Sequence, residues 1–179
     1  NCLLIIDQKI DIKEKICLDI GSSTGGFTQV LLKHGAKKIY AVDVGYGQLH
    51  EKIAKNSRVL SFERTNARYL TSKTIKEDLD IIVCDASFIG FKKVINESLN
   101  FLKFGGQVIG LIKPQFEALK HEVKKNGVIK DKFIHERICN NIQEWLIKEK
   151  TFEVAKIVQS PIKGPKGNIE FFITATKKF

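Results

Sequence analysis

The feature that most constrains this chain is the segment 17–27, CLDIGSSTGGF, which links an apolar run to a helical pattern. The apolar run begins at Ile16 and breaks at Gly21, and small residues follow. The next stretch, FTQVLLKHG, has apolar residues at helical spacing. Glycines let the backbone approach a ligand closely, and a helix N-terminus offers unpaired N–H groups. A strand, a small-residue turn and a helix in this order predict a nucleotide-binding site.

The residues of the turn limit the class of ligand that it can bind. Ser23 stands where a dinucleotide-binding fingerprint requires its second glycine, and Phe27 stands where a phosphate-binding loop requires lysine. The acidic Asp19 just before the turn suits a ligand without a pyrophosphate, such as S-adenosylmethionine, whose ammonium it can help to hold. A tight turn without any ligand is the alternative. We expect the cofactor to contact Gly21, Ser22, Ser23, Gly25, Gly26 and Phe27.

Composition limits the class of protein. The 179 residues suffice for one well-buried domain, and no apolar run approaches the ~20 residues that span a bilayer. A net charge of +10 indicates a polyanionic partner, nucleic acid before membrane, although a general lysine bias explains it as well. The four cysteines form no C-x-x-C pattern and the histidines no ligand spacing, so we expect reduced thiols, no metal and a cytoplasmic protein.

Alternating strand and helix patterns predict an α/β fold with a mostly parallel seven-stranded sheet and helices on both faces. Strands are predicted at 16–20, 38–43, 58–63, 79–84, 107–112, 152–159 and 169–176. Helices are predicted at 26–34, 48–54, 91–104 and 131–150, the end of another at 1–8, a turn at 105–106 and an irregular segment at 115–130. Because no helix separates the last two strands, we expect them to form an antiparallel hairpin at one edge.

Polar residues stand at the carboxyl ends of four predicted strands, and ligands bind at this edge of such sheets. They are Asp19, Asp43, Asp85 and Lys113. Asp43 is placed to accept hydrogen bonds from ribose hydroxyls, with a helix N-cap as the alternative role. Asn66 after the third strand can cap a turn or reach an adenine edge. We therefore add Asp19, Asp43, Val44, Asn66, Ala67 and Asp85 to the expected cofactor-binding residues.

Lys113 follows the apolar strand VIGLI and precedes Pro114. Partial burial disfavours the charged form of an amine, and a neutral lysine can act as a general base. Asp85 ends the neighbouring strand and Glu170 lies in the final hairpin, so both can orient that amine. A purely structural ion pair is the alternative. The sequence DASF after the fourth strand differs from the N-P-P-Y type expected for amino methylation, which favours an oxygen acceptor.

Several segments together resemble a known family. They are CLDIGSSTGGFTQVLLKHG, FERTNARYL, CDASFIGF, LIKPQFEA and SPIKGPKGNIEFF. They are similar to the TlyA (haemolysin A) family of FtsJ-like ribosomal RNA 2′-O-methyltransferases, and the similarity covers nearly the whole chain. The resemblance implies a Rossmann-like, S-adenosylmethionine-dependent methyltransferase fold and a Lys-Asp-Lys-Glu catalytic set. Asp85, Lys113 and Glu170 match its last three members, while the place of the first lysine falls at or before Asn1.

The resemblance also implies partners and domain organisation. The expected partner is ribosomal RNA or a ribosomal subunit, with a cytidine 2′-hydroxyl as the acceptor. The basic residues expected to bind RNA phosphates are Lys120, Lys124, Lys125, Lys163 and Lys166. We expect residues 1–179 to be one methyltransferase domain, a monomer or weak dimer, taken from a longer protein with an N-terminal RNA-binding domain. A membrane-active haemolysin and a non-catalytic RNA-binding module are the alternatives.

Overall fold

The computed structural model describes residues 10–123 and 125–179 and contains one seven-stranded sheet in this part of the chain. The strands are β1 (Ile16–Ile20), β2 (Lys38–Val42), β3 (Val59–Phe62), β4 (Leu79–Cys84), β5 (Leu102–Ile112), β6 (Phe152–Gln159) and β7 (Phe171–Lys177). All seven predicted strands are confirmed, with ends that differ by a few residues. The helix end predicted at residues 1–8 lies outside the described residues.

The strand order is β3-β2-β1-β4-β5-β7-β6. Neighbouring strands from β3 to β5 pair in parallel, whereas β7 is antiparallel to both β5 and β6. The predicted mostly parallel sheet with an antiparallel hairpin at one edge is therefore confirmed. The order reverses beside β1, which brings the carboxyl ends of β1, β2 and β4 together, where ligands bind in folds of this kind.

Five α-helices and three 3-10 turns connect the strands in the described part of the chain. They are α1 (Gly26–Lys33), α2 (Glu51–Ala54), α3 (Phe91–Ile95), α4 (Pro114–Glu117), α5 (Lys132–Lys150) and the 3-10 turns Ala67–Tyr69, Ser98–Phe101 and Pro165–Gly167. The central strands are buried on both sides, as β4 shows with five fully buried residues out of six. One apolar cluster packs α3 and α5 against one face of the sheet, and a second packs α1 and α2 against the other. Helices on both faces are therefore confirmed.

The longest helix, α5, forms where its sequence predicts it. The Asp131 carboxylate accepts a hydrogen bond from the Phe133 N–H and caps the N-terminus. Ile138, Ile142 and Leu146 lie on the buried face against the sheet. This helix is the main cover of the hairpin strands β6 and β7.

The helix predicted over 91–104 is wrong beyond its first turn. The α-helix ends at Ile95, a 3-10 turn follows, and Leu102 already pairs with Leu79 in the sheet. Leu99 and Leu102 are buried, as the apolar face of a helix would be. Strand pairing at Leu102 requires extended backbone there, so the tertiary contact overrides the helical period.

The turn predicted at 105–106 is a bulge inside β5. Leu79 pairs with Leu102 but Ile81 pairs with Gln107, so the intervening residues leave the ladder. Gly105 has φ +76°, a conformation that glycine adopts without strain. The segment predicted to be irregular at 115–130 contains 115–117 of α4, and its other described residues form no helix or strand.

Membrane and metal features can be assessed for residues 10–123 and 125–179. None of the helices in these ranges has the length and apolar character needed to cross a membrane. No cluster of three or more histidine, cysteine or acidic residues suited to a metal occurs there. The cysteines in these ranges, Cys17, Cys84 and Cys139, are free thiols, while Cys2 lies outside them.

Candidate active site at the carboxyl edge of the sheet

Backbone hydrogen bonds gather the functional segments at one edge of the sheet. The Gly21 N–H donates to the Val42 carbonyl at 2.9 Å, and the Asp85 N–H donates to the Ile20 carbonyl at 3.0 Å. Because these bonds continue the ladders of β1 with β2 and β4, the turns after all three strands begin side by side. They enclose a cavity of about 590 Å³.

Seven of the expected cofactor-binding residues line this cavity and five do not. The seven are Gly21, Ser23, Asp43, Val44, Asn66, Ala67 and Asp85. The five that do not line it are Asp19, Ser22, Gly25, Gly26 and Phe27, and all of these except Gly26 are buried. The cofactor-binding role of all twelve stays a prediction.

The turn after β1 needs its glycines. Gly21 has φ +78°, and a Cβ there would lie 2.9 Å from the Ala86 Cα, which is backbone and cannot move aside easily. Gly25 precedes α1 with φ +100°, and a Cβ there would lie 2.6 Å from the Ile53 Cδ1. The close approach of Gly21 to Ala86 sets the depth of the cavity between β1 and β4.

The Asp43 carboxylate ties two turns together. Its Oδ2 accepts from the Ser23 N–H at 2.8 Å and its Oδ1 accepts from the Gly45 N–H at 2.7 Å. The alternative role as a helix N-cap does not occur, because the N-cap of α2 is His50. Each carboxylate oxygen has a further lone pair, so Asp43 can still accept from hydroxyl groups in the cavity.

Asn66 caps a turn, which was one of its two expected roles. Its Oδ1 accepts from the Arg68 N–H at 3.0 Å, at the start of the 3-10 turn Ala67–Tyr69. The side chain is nevertheless exposed at the cavity wall, where the buried Ala67 lies beside it. Capping and a contact with an adenine edge are therefore compatible.

Asp19 is a buried acid under the turn. Its Oδ2 accepts from the Thr28 hydroxyl at 2.6 Å, while its Oδ1 is buried without a hydrogen-bond partner. Burial raises the pKa of Asp19 to about 7, the charges of Asp85 and Asp43 add to the rise, and the Thr28 hydrogen bond offsets part of it. Asp19 thus anchors α1 to β1 and keeps one acceptor oxygen for a donor.

Lys113 and Asp85 form a close ion pair at the rim of the cavity. The Lys113 Nζ lies 2.6 Å from the Asp85 Oδ1 and donates to the Ser87 Oγ at 2.9 Å. The Asp85 carbonyl accepts from the same amine at 3.3 Å. Lys113 is only 8% exposed, so its amine is held by three protein oxygens with little solvent.

Glu170 lies beside this pair without forming an ion pair with Lys113 in the described part of the chain. The pairing of Ile112 with Phe171 places Lys113 and Glu170 at the same edge of the sheet. The Glu170 Oε1 accepts from the Gln115 amide at 3.1 Å. Burial raises the pKa of Glu170, and the Gln115 hydrogen bond and the charge of Lys113 offset part of the rise.

Four residues that the sequence did not single out support these groups. They are Thr28, Ser87, Gln115 and Glu117. The Glu117 carboxylate accepts from the Phe91 N–H at the start of α3 and thereby joins the segment after Lys113 to the segment after Asp85. Their partners are distant in sequence, so a pattern search has no spacing by which to find them.

The residues around the cavity fit S-adenosylmethionine. The unpartnered Asp19 oxygen suits a cationic ammonium, although Asp19 itself is not part of the cavity lining. Asp43 offers acceptors for ribose hydroxyls, and Val42, Ala67 and Val94 give the apolar wall that an adenine ring requires. The space that Gly21 leaves beside Ala86 is one that any side chain at Gly21 would fill.

The basic residues expected to bind RNA lie on the neighbouring loops. Lys120, Lys125, Lys163 and Lys166 are exposed, and Lys124 lies outside the described residues. The loop that carries Lys163 and Lys166 is fixed by Asn168, whose Oδ1 accepts from the Ile129 N–H at 3.1 Å. The Asn168 amide donates to the Gly127 carbonyl at 3.0 Å, so the two basic loops are held next to each other.

Comparison with known proteins gives consistent matches. The model of the family described as FtsJ-like methyltransferase matches residues 3–177. Hemolysin A of Brachyspira hyodysenteriae is 47% identical over 170 residues, which are 93% of this chain and 69% of that protein. The 16S/23S rRNA (cytidine-2′-O)-methyltransferase TlyA of Mycobacterium tuberculosis is 38% identical over 164 residues, or 92% of this chain and 61% of that protein.

Solved structures give matches of the same kind. A hemolysin candidate from Lactococcus lactis is 38% identical, covers 98% of this chain and 84% of its own, and has a TM-score of 0.92. An S-adenosylmethionine-dependent methyltransferase candidate from Listeria monocytogenes is 16% identical with a TM-score of 0.73 over 99% of this chain and 98% of its own, a likeness of fold. The chain spans between 58% and 69% of the length of the curated relatives with TlyA, hemolysin A or rRNA methyltransferase names.

Proposed function

The chain belongs to the FtsJ-like methyltransferase family, and from this premise we propose that it methylates a ribose 2′-hydroxyl of ribosomal RNA with S-adenosylmethionine. The observation that carries the proposal is the Asp85–Lys113 pair, 2.6 Å apart at the rim of a cavity suited to the cofactor. A cytidine acceptor is proposed because two relatives are named for cytidine-2′-O methylation. A cytoplasmic location accords with such a substrate.

The cofactor would be held by the turns after β1, β2 and β3. In this arrangement Gly21 gives room for the amino-acid end, Asp43 accepts from the ribose hydroxyls, and Ala67 and Asn66 flank the adenine. S-adenosylmethionine supplies an electrophilic methyl group on a sulfonium. The part of the protein is to hold the acceptor oxygen in line with that methyl group, since orientation can supply much of the rate.

Lys113 is the proposed general base. A ribose 2′-hydroxyl is a poor nucleophile and must lose its proton as it reacts, and the Lys113 Nζ is the proposed acceptor of that proton. Asp85 and Ser87 fix the amine in position through the contacts at 2.6 Å and 2.9 Å. Asp85 then stabilises the ammonium that forms, which lowers the cost of a charge at a site that is 8% exposed.

Glu170 and Gln115 support this arrangement. Glu170 is 2% exposed and accepts from Gln115, two residues after the proposed base. A side chain at Gly164 would overlap the Glu170 carboxylate, so the loop SPIKGPKGN closes directly over it. We propose that this contact fixes the end of β7 against the end of β5 and so keeps Lys113 at the rim.

An exposed aromatic residue next to the pair favours a nucleotide acceptor. Phe88 is 90% exposed, has φ +65°, and its ring lies 5.2 Å from the ring of Phe116. Such a conformation is costly for a bulky residue and persists where surrounding contacts hold it. An exposed ring beside the base gives an unstacked RNA base a surface on which to stack.

Transfer of a tritium-labelled methyl group from the cofactor to unmodified ribosomal subunits tests the proposal. We expect label in rRNA, and a reverse-transcription stop at low nucleotide concentration should place it on a ribose. Label on a base, or in protein, would contradict the proposal. In parallel, calorimetry with S-adenosylhomocysteine should give saturable binding that Asp43→Ala weakens.

The two alternatives give different results in the same experiments. A chain that binds S-adenosylhomocysteine but transfers no methyl group would be a binding module with the methyltransferase fold. Lysis of erythrocytes by the purified chain, without cofactor binding, would favour the membrane-active alternative.

A further inference from the structure

A second cavity, of about 740 Å³, lies next to the candidate active site and outside its machinery. It runs between the 3-10 turn Ala67–Tyr69, helix α3 and helix α5. Its lining residues are Arg68, Tyr69, Leu70, Thr71, Lys92, Lys93, Asn96, Glu97 and Trp145. We refer to this set as the α3 groove.

The cations of the α3 groove are available to a ligand. In the described part of the chain, no ion pair engages Arg68, Lys92, Lys93 or the nearby Lys150. The one carboxylate in the lining, Glu97, accepts from the Asn96 amide at 2.8 Å. Elsewhere on the surface, Lys38 and Lys103 contact carboxylates at 2.6 Å and 2.9 Å, whereas Lys13 and Lys37 form no ion pair in the described part of the chain. The lining of the groove thus carries three cations against one carboxylate, and Glu117 is close enough to Lys92 and Lys93 for their charges to offset part of the rise in its pKa.

Aromatic rings alternate with these cations. Tyr69 is 69% exposed, and the Arg68 guanidinium lies 5.3 Å from its ring centroid. The Lys92 and Lys150 amines lie 5.8 Å and 5.7 Å from the ring centroid of Trp145. Cations interleaved with an exposed aromatic ring are the combination that binds a single-stranded nucleic acid, since phosphates take the charges and a base takes the ring.

The groove and the cofactor cavity are lined by neighbouring residues of the same two elements. Asn66 and Ala67 line the cavity, and Arg68 and Tyr69 of the same turn line the groove. On the other side, Ile89 and Val94 line the cavity while Lys92 and Lys93 on the outer side of α3 line the groove. Lys92 and Lys93 lie on the helix that follows Phe88, so we expect an RNA strand that leaves the acceptor position to reach them.

We propose that the α3 groove binds the single-stranded RNA segment adjacent to the acceptor nucleotide, with phosphates on Lys92 and Lys93 and a base on Tyr69. The identification of the bound polyanion as RNA rests on the proposed function. The groove adds a binding surface on α3 and the 3-10 turn Ala67–Tyr69 to the one formed by the C-terminal basic loops.

Fluorescence anisotropy with a labelled single-stranded RNA of mixed sequence tests the groove at several salt concentrations. The double variant Lys92→Ala/Lys93→Ala should lower the slope of log affinity against log salt by about 1.4, since each phosphate contact contributes about 0.7. The matched control is Lys13→Ala/Lys37→Ala, which removes the same charge from exposed positions before β1 and β2, at the opposite edge of the sheet. The control should leave the slope close to that of the parent chain.

Variants of Tyr69 distinguish the contribution of base stacking to RNA affinity from that of the lysine charges. Tyr69→Ala should weaken RNA binding about tenfold, whereas Tyr69→Phe should retain the affinity because stacking needs only the ring. Equal slopes for the two lysine pairs, or an unchanged affinity in Tyr69→Ala, would overturn the proposal. An acidic protein as the true occupant would give the same overturning result. Anisotropy needs no methyl transfer, so a failure of the proposed catalytic function does not affect this test.

Discussion

The Lys113 amine contacts three oxygens of the segment 85–87, which suits both a catalytic and a structural role. Two substitutions of Lys113 distinguish these roles. We expect Lys113→Ala to reduce methyl transfer by ~10²–10⁴-fold with cofactor affinity close to normal, because the base acts on the acceptor and not on the cofactor. Lys113→Arg should fail as well, since a guanidinium stays protonated and cannot accept the hydroxyl proton. Single-turnover rates and calorimetry with S-adenosylhomocysteine measure the two effects.

An active Lys113→Arg variant would contradict the general-base role. It would leave the ion pair with Asp85 as the function of this lysine, and Lys113→Ala should then lower the melting temperature. Ser87→Ala is a useful control, because it removes one of the three contacts and leaves the ion pair in place.

The raised pKa of Asp19 predicts that the stability of the folded chain depends on pH. Its folded-state pKa of about 7 lies above the ordinary value of 3.8, so the folded state holds a proton that the unfolded state releases. The resulting loss of stability starts above about pH 4 and is complete above about pH 7. Asp19→Asn should therefore raise the melting temperature relative to the parent chain more at pH 8 than at pH 5.

The same variant tests the contact with the cofactor. If the free Asp19 oxygen pairs with the ammonium, Asp19→Asn should weaken S-adenosylhomocysteine binding and abolish the proton release that calorimetry in two buffers detects. Unchanged affinity would restrict Asp19 to its hydrogen bond with Thr28.

At the scale of elements, the sequence predicts what local periodicity and glycine placement control. The strands, α1 and α5 follow from such signals. The end of α3 and the bulge in β5 do not, because they depend on the pairing of Leu102 with Leu79 across the sheet. The acids at the strand ends follow their strands directly in the sequence, so the strand pattern predicts them. Gln115 and Glu117 act through Glu170 and Phe91, which are distant in sequence, so the pattern does not predict them.

The hydrogen bond between the Phe91 N–H and the Glu117 carboxylate predicts that α3 and α4 stabilise each other. Burial raises the pKa of its carboxyl group, and the Phe91 N–H together with Lys92 and Lys93 offset part of the rise. Glu117→Ala leaves the Phe91 N–H without its acceptor, which should cost about 1–3 kcal/mol in urea unfolding. Glu117→Gln keeps an acceptor oxygen and should recover most of that loss.

Hydrogen exchange at the Phe91 amide locates the effect. It should become faster in Glu117→Ala than in Glu117→Gln, while the exposed Glu149→Ala should change neither exchange nor stability. Equal exchange in all three variants would show that the segment after Asp85 does not depend on Glu117.

At the scale of the whole molecule, the two apolar clusters share the same sheet, since β1 and β4 place Leu18 and Ile82 on one face and Cys17 and Ile81 on the other. Neither cluster can be exposed without losing strands that cover the other, so we propose that residues 1–179 form one cooperative domain. The expected result is a single thermal transition in which the calorimetric and van't Hoff enthalpies agree.

A ligand at the carboxyl edge of this sheet should then stabilise the entire domain. S-adenosylhomocysteine at 100 times its dissociation constant adds about 2.7 kcal/mol, which should raise the melting temperature by about 5–10 °C in a domain of this size. Because β1, β2 and β4 carry both clusters and the binding turns, the whole transition should shift and keep its width. Two transitions, of which the ligand moves only one, would mean that the hairpin of β6 and β7 with α5 unfolds separately from the cofactor site.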